Sequence, residues 1–181
     1  DPIDALALTT SHPRWLVARW VQRWGVDEAR TLLERNNVEA PMVIRPFGIV
    51  REQLETMLES SGIVVEDAPL VGDGLALKGH AALAEVGAFR QGLFFVQDPA
   101  ATLVTRYAAP PAGATIIDLC AAPGGKALEL ARTAQVVIAA DRSPTRLERM
   151  RQNLERLDAR NVFLVATDAS ELALTGASVV L

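Results

Sequence analysis

Apolar and polar positions change rhythm along the chain, and each change marks a different kind of element. Trp15, Leu16, Arg19, Trp20 and Arg23 recur at helical spacing after Ser11-His12-Pro13, which reads as an N-cap with proline in the first turn. Gly25 ends that helix. A second runs from Asp27-Glu28, where early acids suit the helix dipole, to Asn36-Asn37. Trp15, Trp20 and Trp24 are expected to be buried packing residues rather than base-stacking ones. From Ala40 the apolar runs shorten. Met42 to Arg45, Ile63 to Val65, Leu75 to Leu77 and Leu93 to Val96 read as strands, and Arg51 to Glu59 reads as a helix. This mixture predicts a small α+β module of the RNA-recognition type.

Asp98-Pro99 opens a helix through Tyr107, and Ala109-Pro110-Pro111-Ala112-Gly113 reads as a linker. Strand and helix then alternate. Strands are predicted over 115–119, 136–140, 162–165 and 178–181, with helices from Lys126 to Arg132 and from Pro144 to Leu157. Apolar strands separated by amphipathic helices predict a parallel sheet covered on both faces. The expected organisation is an N-terminal helical segment over 1–39, an α+β subdomain over 40–97 and an α/β domain over 98–181.

Composition changes this picture little. Half of the 181 residues are hydrophobic and 22% are charged, which places the chain among globular proteins. No apolar run approaches the roughly 20 residues that span a bilayer, and no basic-then-apolar leader heads the chain. It opens on Asp1-Pro2-Ile3-Asp4 without Met and is read as starting inside a longer protein. A single cysteine, Cys120, excludes a disulfide framework and fits a reducing cytosol, so a cytoplasmic location is expected. His12 and His80 are too far apart in sequence to suggest a metal site.

Charge carries more. The net charge of −4 argues against a generally basic nucleic-acid binder, yet residues 142–160 hold six arginines against three acids. Arg142, Arg146, Arg149, Arg156 and Arg160 fall within an arc of roughly 80° on a helix whose neighbouring face is Leu147, Met150, Leu154 and Leu157. An ordinary solvated helix face is the expected reading, with a phosphate-facing stripe as the alternative.

The candidate chemistry sits where the first strand of the α/β domain gives way to its helix. In doubly wound sheets ligands bind outside the carboxyl ends of the strands. Asp118-Leu119-Cys120 ends that strand, Pro123 stiffens the turn, and Gly124-Gly125 let backbone approach a ligand, with the amides of the following helix start able to meet a carboxylate. The Gly-x-Gly-x-x-Gly of nicotinamide cofactors and the Walker loop are both absent. Asp141 follows the second strand, about 20 residues on, where a carboxylate binds ribose hydroxyls. Asp168 follows the third and could accept a hydrogen bond from an adenine amine. A lone strand-end Asp is usually a turn residue or N-cap; three beside a Gly-Gly loop point to an adenosyl cofactor.

Cys120-Ala121-Ala122-Pro123-Gly124-Gly125-Lys126 resembles the cofactor loop of the NOP/Sun family of RNA 5-methylcytosine methyltransferases, and most closely its bacterial branch that modifies small-subunit (16S) ribosomal RNA. Ser11 to Val17, Gly92 to Pro99 and Asp141-Arg142-Ser143 agree with it. The resemblance implies an α/β fold: a Rossmann-like S-adenosylmethionine-dependent methyltransferase sheet, incomplete here, preceded by an α+β RNA-recognition-like subdomain and N-terminal helices. It implies S-adenosyl-L-methionine as cofactor, held by residues 120–126, Asp141 and Asp168, and small-subunit ribosomal RNA as partner of a monomeric, non-membrane enzyme. Residues from about 40 to 95 would bind RNA.

Family members attack cytosine C6 with a cysteine thiolate and move the methyl group to C5, using a Pro-Cys motif just after strand four and a Thr-Cys motif after the next strand. Neither motif is present; the nucleophile is expected beyond Leu181 and the fragment is expected to be inactive alone. Cys120 is expected to pack beneath the ligand rather than attack. The alternatives are a non-catalytic S-adenosylmethionine- or RNA-binding module and a transfer RNA cytosine-5 methyltransferase.

Overall fold

The computed structural model describes residues 1–79, 82–171 and 176–181. His80 of the metal consideration falls outside them. The chain divides at Ala40/Pro41 into two compact units.

In the first unit, helix α1 (Pro2–Thr9) is followed by α2 (Arg14–Trp24) and α3 (Val26–Asn36). The Asp1 side chain caps α1 by accepting from the Ile3 N–H at 2.9 Å. This helix falls within the helical segment expected over 1–39, where no separate element is predicted before Ser11. Its presence also displaces the expected cap of α2. Ser11 sits at φ +56 in the turn after α1, and Pro13 takes the N-cap position with no side-chain bond. Gly25 (φ +85) separates α2 from α3 as expected. Leu6, Val17 and Leu33 form the core, with Trp20 packed against them. The other two tryptophans correct the expectation of burial: Trp15 is 66% exposed and Trp24 46%. Val17 takes the inward face of α2, and Trp15, two residues earlier, points away from it.

The second unit carries two sheets. In the first, β1 (Met42–Pro46), α4 (Arg51–Ser60), β2 (Val65–Asp67), β3 (Leu75–Leu77), α5 (Gly87–Arg90) and β4 (Phe94–Val96) follow one another, with a short 3₁₀ turn at Leu83–Glu85 before α5. The strands are antiparallel in the order β2-β3-β1-β4, a ferredoxin-like arrangement with Ile44, Leu54, Leu58, Leu75 and Phe94 at its core. β2 begins two residues later than the expected Ile63. The Ile63 N–H bonds the Leu58 carbonyl and so belongs to the termination of α4.

The second sheet follows α6 (Pro99–Ala108), which Asp98 caps by accepting from the Ala100 N–H at 2.7 Å. Its elements are β5 (Thr115–Asp118), α7 (Gly125–Ala131), β6 (Val136–Asp141), α8 (Pro144–Leu157), β7 (Val162–Ala166) and β8 (Val179–Val180). All pairings are parallel in the order β7-β6-β5-β8. Strand order reverses at β5, the switch point at which such Rossmann-like sheets open a crevice. Leu147, Met150, Leu154 and Leu157 of α8 pack with Ile116, Leu128, Val137 and Ala139 in the core, as their spacing predicts.

Two arginines join this sheet to the ferredoxin-like module. Arg45 of β1 is fully buried; it donates to Asp73 at 2.5 and 2.6 Å and to Glu129 of α7 at 3.2 and 3.3 Å, while Arg106 and Arg132 close on the same two acids. Arg156, expected on the solvated stripe, instead turns inward. Its guanidinium donates to the Phe89 and Phe94 carbonyls at 2.8 and 3.1 Å and lies 3.8 Å over the Phe89 ring. Burial pushes its pKa down. Gly92, at φ +73, permits this approach: a Cβ there would lie 1.9 Å from the Arg156 carbonyl oxygen. Among the described residues no helix is long and apolar enough to cross a membrane.

Candidate cofactor site

The loop from Asp118 to Lys126 is held from beneath. Asp118, at the end of β5, is fully buried; its carboxylate accepts from the Cys120 N–H at 3.1 Å and pairs with the Lys126 ammonium at 2.9 and 3.0 Å. Lys126 also donates to the Cys120 carbonyl at 3.4 Å, so both ends of the loop close on one acid. The Ala121 N–H reaches the Ala140 carbonyl at 3.0 Å, tying the loop to β6. The Ala122–Pro123 peptide is cis.

Gly124 adopts φ +113, a conformation that side chains rarely take, and a Cβ there would press to 3.1 Å from Met150 of α8. A Cβ on Gly125 would meet the Gln97 side chain at 3.4 Å. Backbone conformation and packing therefore already favour glycine at position 124, whereas a Cβ at position 125 would make only ordinary contact with Gln97.

The expected residues divide by where they face. Cys120, Asp141 and Asp168 line one cavity of about 310 Å³ together with Leu119, Arg142, Arg146 and Ala169, at the carboxyl ends of β5, β6 and β7. Ala121 and Gly124 are buried in the loop, Pro123 is exposed, and Lys126 is turned to Asp118. Cys120 is exposed at the cavity rather than packed away, because Asp118 holds its backbone and the strand below is filled by Ile116 and Ile117.

Asp141 is 3% exposed and heavily engaged. One carboxylate oxygen accepts from the Ser143 N–H at 2.9 Å and pairs with Arg146 at 2.8 Å; the other accepts only a long 3.3 Å bond from the Ala122 N–H. That second oxygen keeps a lone pair for a hydroxyl donor. Asp168 is exposed and forms its own turn, accepting from the Ser170 N–H at 2.9 Å and the Ser170 hydroxyl at 2.7 Å. These bonds, with the Arg142 charge, hold its carboxyl below the usual range. Among the described residues no cluster of His, Cys, Asp and Glu is placed to hold a metal.

Arg146 was assigned to a surface stripe, whereas it is the counter-ion of Asp141. A sequence signal for this exists. It lies three residues after the N-cap Ser143, in the first helical turn, where the dipole and the capping box favour an acid. A cation there needs a partner of its own.

Two families of known proteins match the chain. The 16S rRNA methyltransferase RsmB/F family matches residues 106–179, and the ferredoxin-like domain of RsmF/B-like methyltransferases matches residues 12–84. The chain belongs to the RsmB/F branch of the NOP/Sun family. This RsmB/F chain is 38% identical over 151 residues to ribosomal RNA small subunit methyltransferase B of Vibrio cholerae, covering 81% of the chain and 35% of that relative. It is 33% identical over 134 residues to the probable ribosomal RNA small subunit methyltransferase B of Bacillus subtilis, covering 72% and 30%. It spans about a third of the length of these curated relatives.

Solved structures of similar fold include the protein PH0851, with a TM-score of 0.86 at 26% identity over 94% of this chain and 40% of that one. A methyltransferase homolog from Pyrococcus horikoshii gives 0.80 at 25% identity, covering 92% and 56%. The Rossmann-like reading of the parallel sheet and the α+β reading of the module before it both stand.

Proposed function

We propose that this RsmB/F chain is the cofactor-holding segment of a methyltransferase that places a methyl group on C5 of cytosine in small-subunit ribosomal RNA, with S-adenosyl-L-methionine as donor. The observation that carries the reading is the cavity that gathers Cys120, Asp141 and Asp168 at the carboxyl ends of three successive parallel strands. Asp141 offers a partly free carboxylate oxygen to ribose hydroxyls, and Asp168, at the rim, offers an acceptor to the adenine amine. Residues 120–126 wrap the remaining part of the cofactor, with Asp118 and Lys126 fixing the loop's shape from below. Bound S-adenosylmethionine supplies a methyl group on a positively charged sulfur. The ferredoxin-like module within residues 40–97 serves RNA binding.

Cys120 is assigned no attack on the base. Its backbone is part of the loop, its N–H and carbonyl both committed to the Asp118–Lys126 anchor. It is the only cysteine in the chain, so residues 1–181 alone transfer no methyl group.

Calorimetry with S-adenosylmethionine on the wild type and on Asp141→Ala and Asp168→Ala tests the assignment. Losing a carboxylate that accepts charge-assisted bonds costs about 1.5–3 kcal/mol, roughly a ten- to hundredfold weaker Kd. Asp141→Ala also releases the Ala122 and Ser143 amides, so Asp168→Ala, whose bonds are confined to its own turn, is the cleaner of the two. Unchanged affinity in both variants refutes the site. Methyl transfer to ribosomal RNA by residues 1–181 alone refutes the inactivity.

A further inference from the structure

All three tryptophans of the chain stand on α2, and Trp15 is turned into solvent at 66% exposure. At 100° per residue, Trp15, Arg19, Gln22 and Arg23 lie within an arc of about 100°, on the side of the helix away from the buried Val17. All four side chains are exposed. The helix contains no acidic residue. Arg14 is committed to Asp1 and Asp4, at 3.2 and 2.6 Å, whereas Arg19 and Arg23 form no ion pair among the described residues. Arg23 lies 5.2 Å from the ring centroid of Trp24, which is itself 46% exposed.

A flat indole face beside two unneutralised guanidinium groups, with no acid on the helix, matches one partner chemistry. Planar bases stack on aromatic rings, and the phosphates between them meet arginines; this pairing of stacking platform and cationic track is how single strands are held without regard to sequence. A wholly apolar partner would leave both guanidinium charges uncompensated. We propose that the Trp15–Arg19–Arg23 face of α2 is a docking surface for single-stranded RNA, with Trp15 stacking on an unpaired base and Arg19 and Arg23 contacting the phosphates beside it. The residues of this surface belong to the first unit and are not among those that line the cofactor cavity, and the inference goes beyond the proposed methyl transfer because it requires neither cofactor nor nucleophile.

Fluorescence anisotropy with a labelled single-stranded RNA of mixed sequence, titrated with the whole chain over a salt series and without cofactor, tests it. Trp15→Ala is expected to weaken binding about tenfold, and Trp15→Phe to restore most of the loss. Arg19→Gln and Arg23→Gln are each expected to reduce the slope of log K against log salt by about 0.7, the value for one phosphate contact on a single strand. Trp15 is exposed, so its replacement leaves the melting temperature unchanged. Binding unaffected by Trp15→Ala overturns the proposal, as does equal affinity for a fully duplexed RNA. A Trp15→Ala variant that melts earlier or changes its sedimentation would show a protein-packing face and overturn it too. Failure of cofactor binding in the calorimetry above leaves this result untouched.

Discussion

Replacing Arg45 by Met should be among the more destabilising single changes in residues 41–181. The guanidinium is fully buried and donates at 2.5 and 2.6 Å to Asp73 and at 3.2 and 3.3 Å to Glu129, joining β1 to α7. Breaking one member of a buried ion pair costs about 3–5 kcal/mol when the partner is left alone. Here neither acid is left alone, because Arg106 and Arg132 hold both. The cluster passes from three cations and two anions to two of each, so the expected loss is lower, about 2–3 kcal/mol. Such a loss lowers Tm by about 4–12 °C in a chain of this size.

Calorimetric melts at neutral pH measure it. A double-mutant cycle with Asp73→Asn should give a coupling of about 0.5–3 kcal/mol, the range for residues in direct contact. Acid should erase much of the difference. Burial works to raise the Asp73 pKa, but hydrogen bonds from Arg45 and Arg106 and their charges outweigh it and hold the carboxyl well below the usual range. A depressed folded pKa means that the stability from this group is fully present above its unfolded value, about 3.9, and is lost as pH falls from there through the folded value. An Arg45→Met protein that melts within about 1 °C of the wild type, or above it, refutes the argument.

Gly92→Ala must either move the Arg156 carbonyl or abandon φ +73, and it should cost about 2–4 kcal/mol, read as an earlier melt; a neutral effect would mean that the joint between β4 and α8 yields freely. Arg146→Met removes the counter-ion from the Asp141 oxygen that also accepts from Ser143, leaving that oxygen open to a ribose hydroxyl. S-adenosylmethionine should then bind about two- to tenfold more tightly by calorimetry, and tenfold weaker binding would show that Arg146 supports the ligand instead. Asp98→Ala deletes the cap of α6 and should cost about 1 kcal/mol in a denaturant melt, with a loss below about 0.3 kcal/mol assigning the cap no role.

How much of this could be read in advance depended on how many residues voted together. α8 is found at Pro144–Leu157, as expected, because a serine cap, a first-turn proline and four apolar residues at helical spacing all agree. β5 and β6 were legible because they are buried on both faces and read as continuous apolar runs. Strands of three residues, such as β2, hold too little periodicity to set their ends. The roles of Arg45 and Arg156 were illegible for a different reason. An arginine looks alike in sequence whether it points to water or to a carboxylate contributed from 84 residues away, as Glu129 is for Arg45. Trp15 shows the converse: hydrophobicity suggested burial, and only the choice of Val17 as the inward residue decided otherwise.

The two ends of α8 touch different business. Its cap, Ser143, donates its backbone N–H to Asp141 at the cofactor cavity, and its last turn sends Arg156 into the ferredoxin-like module. Fourteen helical residues make a rod of about 21 Å. Met150 midway along it bears on Gly124, so the rod also rests against the loop it serves. A mechanical lever of this kind has no preferred direction. Where the proposed RNA binding by the module shifts α8, reciprocity requires that RNA and S-adenosylmethionine alter one another's affinity by the same factor.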